Sequence, residues 1–183
     1  SKFMNDIIMW DVRNVRDMSY MFKNARFNGS LKQWNTSSST NMHGMFYNSD
    51  FNQNISRWNV SNVKDMGRMF CFAKSFDQDL SAWNVSGVND MSLMFYGSNF
   101  NHDVSQWDIR KVRSMSLMFA DCPFDQDLKD WDVSNVSDME CMFFMNKTFN
   151  HDISGWNISA GSNVKHMFDC AECSQEYRPY YKV

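Results

Sequence analysis

Seven tryptophans divide this chain into near-equal lengths, standing at 10, 34, 58, 83, 107, 131 and 156, always 24 or 25 residues apart. A Met-Phe pair follows each, with its Met eleven residues on, from Met21 and Phe22 to Met167 and Phe168. A second Phe comes next, at 27, 51, 76, 100, 124 and 149, and Phe3 is its counterpart ahead of Trp10. WDVSNVSDMECMF from Trp131 and WNVSNVKDMGRMF from Trp58 are near copies. The longer repeats gain their extra residue within 70–76 and 143–149, and an insertion confined to one joint marks a loop. Self-similarity this strict predicts stacked units, each burying its apolar face only against its neighbours.

Counting from each Trp, apolar residues recur at +2, +5, +8, +11 and +12, at the later Phe, and at an aliphatic three before the next Trp. Trp131 and Val133 alternate, as on a short strand with one buried face. Val136, Met139, Met142 and Phe143 are spaced by three and four, as on one face of a short helix. Ser61, Ser86 or Ser134 precedes that segment and Asp65, Asp90 or Asp138 opens it, which suits a helix N-terminus. The expected fold is an α/β solenoid of about seven 24–25-residue units, with short parallel strands on one face and short helical turns on the other. Residues 1–183 form one repeat domain in this reading, with regular repeats over 3–168 and a degenerate C-terminal cap over 169–183. In that cap Cys173 takes the Phe place, Tyr177 the aliphatic place and Tyr180 the Trp place, while Pro179 removes a donor from the last strand.

The chain has 183 residues, 43% of them hydrophobic, with a formal net charge of −3. Its pI near 5.7 and lack of long like-charge runs argue against nucleic-acid binding. No apolar stretch reaches the ~18 residues of a spanning helix, so direct membrane insertion of this segment is not expected. The chain begins in mid-motif without a signal-peptide pattern, which predicts a segment of a longer precursor, monomeric as a fragment.

Each residue type that could carry chemistry has a structural reading beside it. An exposed Trp ladder would suit sugars, but Trp shares its parity with the +2 Val or Ile and is expected inside. The Met pairs could ligate a soft metal, or fill gaps in a core. Asp or Asn follows every Trp, and Asp or Asn follows each later Phe from Phe27 to Phe149. These ladders could hold calcium between coils or satisfy backbone groups at each bend. His102 and His151 lie two units apart, ~10 Å at strand spacing, too far to share a zinc. Cys170 and Cys173 have knuckle spacing without a second pair; a cap disulfide or two buried thiols fits them. The HDVS and HDIS stretches are repeat positions rather than a catalytic triad. No catalytic residue, metal ligand or cofactor is expected.

The compound pattern, WDVSNVSDMECMF-like segments followed by FDQDLSAW-like ones, resembles the bacterial surface protein repeat of the DUF285 or BspA-like family. The resemblance runs from Phe3 to about Phe168; the first unit departs with VRNV, the second with NTSSST and the seventh with NISAGSNV. It implies a leucine-rich-repeat-like stack, a place outside the cell as a surface lipoprotein or wall-anchored protein, and adhesion or ligand binding. It supplies no catalytic residues.

A binding scaffold of this kind presents its variable outward positions to a protein or glycan partner. Beside the Trp positions these are Arg57, Asn59 and Ser61; Ala82, Asn84 and Ser86; Gln106, Asp108 and Arg110; Asp130, Asp132 and Ser134. A second strip after Met-Phe carries Tyr47, Phe72, Tyr96 and Phe144 as possible aromatic anchors. The alternative role is a structural spacer or stalk with no ligand of its own.

Overall fold

A computed structural model describes residues 7–180; Phe3 and the last three residues of the expected cap lie outside that range. Each repeat lies parallel on the next through isolated bridges at one position. Asp17, Asn41, Asp65, Asp90, Ser114, Asp138 and Asn163 are joined in that succession. From this bridge the chain enters a ribbon of turns in which alternate amides have different destinations. In the third coil, Met66, Arg68, Phe70 and Phe72 donate their N–H groups to the carbonyls of Asp90, Ser92, Met94 and Tyr96 in the fourth, at 2.7–2.9 Å. Between them, Met69, Cys71 and Ala73 close turns on the Met66, Arg68 and Phe70 carbonyls. The amide of Gly67 goes to Asp65 Oδ1 at 2.8 Å. The same four cross-coil bonds recur at each junction from the first coil to the seventh.

This geometry differs from the helical turn predicted for the Met-Phe segment. The residues ten and fourteen after every Trp have φ of 46–64°, the left-handed value that a turn of type II needs at its third position. An α-helix would send each amide to the carbonyl four residues back. Here every second one is drawn to the neighbouring coil, and no helix forms across it. Asp65, Asp90 and Asp138 therefore do not open helices; each accepts the amide two residues ahead, in Gly67, Ser92 and Glu140.

The strand predicted at Trp also takes another form. Among the described residues it makes no backbone bond between coils. Instead, Trp58 N–H closes a turn on Ile55 and Val63 N–H closes one on Val60. Asn59 Oδ1 accepts the Ser61 amide at 3.1 Å, an Asx-turn that bends the chain out of an extended path. Hydrogen-bonded ladder and bends have exchanged places relative to the expectation.

Inside the stack, side chains from equivalent positions form files. The Met-Phe phenylalanines lie in a column from Phe22 to Phe168, with neighbouring centroids 5.4–5.9 Å apart. The later phenylalanines form a second column, 6.3–6.5 Å apart where adjacent rings stack. Equivalent points are thus farther apart at the second column than at the first, so the coils fan open away from the ladder. Trp34, Trp58, Trp83, Trp107, Trp131 and Trp156 are buried, and each indole N–H reaches a carbonyl of the preceding coil at 3.0–3.2 Å. Trp10, in the first coil, is 48% exposed.

The C-terminal tail keeps the repeat register as far as Tyr177. Ser174 N–H reaches Asn150 Oδ1 at 2.8 Å, and Ile153 N–H reaches the Tyr177 carbonyl at 2.9 Å. A 3-10 turn over Gln175–Tyr177 then brings the Arg178 guanidinium over the Phe168 ring, 5.0 Å from its centroid, closing the end of the first aromatic column. Tyr180 does not take the Trp place: it is 83% exposed. A phenol has no ring N–H to set against the Ile153 carbonyl as the Trp156 indole is set against Leu128.

Because each ring of a column packs against rings on both sides, position along the stack decides the cost of removing one. Phe119→Ala is expected to cost ~3–5 kcal/mol, whereas the same change at Phe22, which among the described residues has a column neighbour on one side only, costs markedly less. Urea denaturation of the two variants measures the difference.

Candidate binding surface

The first candidate strip lies on the paired bends around each Trp rather than along a strand. Arg57, Asn59, Ala82, Asn84, Gln106, Arg110, Asp130 and Asp132 are exposed, and Ser61, Ser86, Asp108 and Ser134 are half-buried. Much of its polarity is spent within the strip. Ser61 Oγ donates to Asn59 at 2.8 Å, Ser86 to Asn84 at 2.7 Å and Ser134 to Asp132 at 2.6 Å. Arg110 holds Asp108 with two bonds, Nε to Oδ1 at 2.8 Å and Nη2 to Oδ2 at 2.7 Å. Asn62 and Asn135 stitch coils together by donating to the Ser37 and Arg110 carbonyls.

The second strip lies beside the ladder. Tyr47 meets Phe72 edge-on at 5.9 Å, and Phe72 meets Tyr96 at 4.8 Å, so these three share one half-buried cluster. Phe144 is not part of it: Ala120 holds the equivalent place in the coil between Tyr96 and Phe144. Gly97, at φ +64°, lies under the Phe72 ring, where a Cβ would come within 2.5 Å of the ring. Tyr20 covers Gly44 in the same way and extends the row, with Lys23 5.0 Å above its ring. The row past Tyr47 toward Tyr20 was missed in the sequence because Tyr20 stands at +10, a position read as part of a helix.

The Asn and Asp ladders are occupied by the backbone and by one another. After Trp, Asn35, Asn59, Asn84 and Asp132 each accept an amide two residues ahead. After the later Phe, Asn28, Asn52, Asn101 and Asn150 each accept an amide of the next coil at 2.8–2.9 Å. Gln53, Gln78 and Gln126 also donate to the first three of these asparagines. Where the oxygen belongs to an Asp instead, a histidine of the next coil approaches it: His102 lies 2.9 Å from Asp77 and His151 3.1 Å from Asp125. Among the described residues, no three His, Cys, Asp or Glu side chains converge as metal ligands. The five cysteines are free, Cys173 buried and Cys170 exposed, so the tail holds neither the expected disulfide nor a pair of buried thiols. Burial pushes the Cys122 thiol up to about 12, which leaves it inert as a nucleophile near neutrality.

One further feature lies between the second and third coils. Lys32, Gln33, Asn54, Ser56, Arg57 and Trp58 line a cleft of about 470 Å³. Only Arg57 among its polar residues was singled out in the sequence. The others belong to two coils, and their convergence needs the stack.

The Arg110 bonds hold the Asp108 carboxyl down at about 2, partly opposed by desolvation. Because the folded value is depressed, the pair's contribution is present above the ordinary carboxylate range and is lost as pH falls toward about 2. A carboxyl-carbon NMR titration is expected to place the Asp108 midpoint near 2, with Arg110→Gln returning it toward 3.8.

No curated protein and no solved structure matches the chain. The family described as "Mycoplasma protein of unknown function, DUF285" matches it over residues 1–100 and 82–178, two overlapping spans that follow the tandem repeats. The chain belongs to the DUF285 family.

Proposed function

We propose that the stack is a leucine-rich-repeat-like solenoid and serves as a non-catalytic scaffold that binds a protein or glycan outside the cell. The observation that carries this reading is the contrast between inward and outward positions of the same coils. Buried files are nearly invariant from coil to coil, while the residue before Trp passes from Arg57 through Ala82 and Gln106 to Asp130. A constant frame with recoded edges is the design of repeat proteins that bind through an extended surface. Placement at a cell surface rests on the resemblance of the repeat to bacterial surface proteins.

One observation favours the spacer reading. Pairs such as Asn59 with Ser61 and Asp108 with Arg110 satisfy each other, which leaves fewer free groups for a partner. A screen against matrix proteins and glycans separates the two. The scaffold reading expects a saturable partner, and reversing the charges of Asp108 and Arg110 together is expected to weaken a partner held by the first strip while leaving the melting temperature within a few degrees. Absence of any partner across the screen would favour the spacer.

A further inference from the structure

The cleft between the second and third coils differs from its surroundings in what its side chains lack. Arg13 pairs with Asp11, Arg110 with Asp108 and Lys129 with Asp127, at 2.7–3.3 Å. Among the described residues, Lys32 and Arg57, on the rim of this cleft, have neither a carboxylate nor a hydrogen-bond acceptor, and none that lines the cleft is acidic. Ser56 Oγ and Ser56 N–H both donate to Asn54 Oδ1, at 2.8 and 2.9 Å. That turns the remaining capacity of Asn54 to its amide N–H₂ group. Lys32, Arg57 and Asn54 thus offer donors, and Gln33 adds an amide, over a floor that includes buried Ile55 and Trp58.

The corresponding notch between the fifth and sixth coils has the opposite character. Asp103, Asp127 and Asp130 line a cleft of about 270 Å³, with Lys129 already paired to Asp127. The same framework position is therefore recoded from cationic to acidic within three coils. A long polyanion following the edge of the stack would be attracted at one notch and repelled at the other. The arrangement fits a ligand whose charge is confined to one residue. Its volume suits a single sugar ring, and the Gln33 and Asn54 amides suit hydroxyl groups around that charge.

We propose that this cleft binds a glycan ending in one anionic sugar, its carboxylate or sulfate held by Arg57 and Lys32 and its hydroxyls by Gln33 and Asn54. Arg57 supplies the planar fork that matches either oxyanion, and Lys32 adds a point charge. This assignment rests on the scaffold reading and names a ligand class for one part of it.

Titration calorimetry with sialyllactose, sulfated lactose and plain lactose tests it. The two charged sugars distinguish carboxylate from sulfate as the preferred anchor, and binding of either one with little binding of lactose is the expected result. Arg57→Glu and Lys32→Glu are each expected to lower that affinity about tenfold or more, since each removes a charge-assisted contact and adds repulsion. Arg57→Lys is expected to retain part of it, and Asp103→Asn, in the acidic notch, to leave it unchanged. Equal binding of lactose, unchanged affinity in both Glu variants, equal competition by a glutamate-rich peptide, or no binding of either charged sugar would overturn the assignment. If a partner found by the broad screen still binds in that event, the scaffold reading stands and only the cleft assignment falls.

Discussion

Two destinations for backbone amides, alternating residue by residue, hold this protein in shape. Along each Met-Phe segment one amide crosses to the next coil and the following one closes a turn within its own, as Phe70 reaches Met94 while Cys71 returns to Arg68. A buried amide left unpaired costs ~1–3 kcal/mol, so a segment whose inward side is packed with Met and Phe needs an answer for every one. From the first coil to the sixth, the turn ribbon and the Asx oxygen at its start answer nearly all of them, at the expense of two left-handed residues per coil. Gly44 and Gly97 meet that demand freely; Leu93, Leu117 and Phe72 meet it against their own preference. The ladder gained across each junction is what offsets that strain.

The same dependence on neighbours governs the apolar side. No coil can satisfy its own Trp: the Trp131 indole needs the Val104 carbonyl, and the Trp107 indole needs Leu80. Rings stack above and below in the two phenylalanine columns, so burial and hydrogen bonding are both completed by the adjacent coil. Stability in such a chain is a sum of junctions. It also leaves the outward positions free to vary, since residues before Trp and along the ladder rim take no part in the files.

The sequence carried the period, the inward positions and the register of the tail as far as Tyr177, because side-chain burial writes itself into spacing. It did not reveal where the amides go. A spacing of three and four at Val136, Met139, Met142 and Phe143 suits one face of a helix and equally suits a ribbon of turns, and only the left-handed Cys141 and Met145 tell them apart. Asp138 likewise suits a helix start or an Asx-turn. Surface residues beside Trp were legible as exposed, since their parity opposes that of the indole. The cleft was not: Lys32 and Arg57 are 25 residues apart and meet only once the coil spacing is known.

Scalar couplings across hydrogen bonds test the alternating ladder most directly, since they connect a given amide nitrogen to the carbonyl carbon that accepts its proton. In labelled protein, the Phe95 amide is expected to couple to the Met118 carbonyl and the Leu93 amide to that of Ser116. Couplings of Phe95 to Met91 and of Leu93 to Asn89, the partners four residues back, would mean a helix there and would contradict this structure at its foundation.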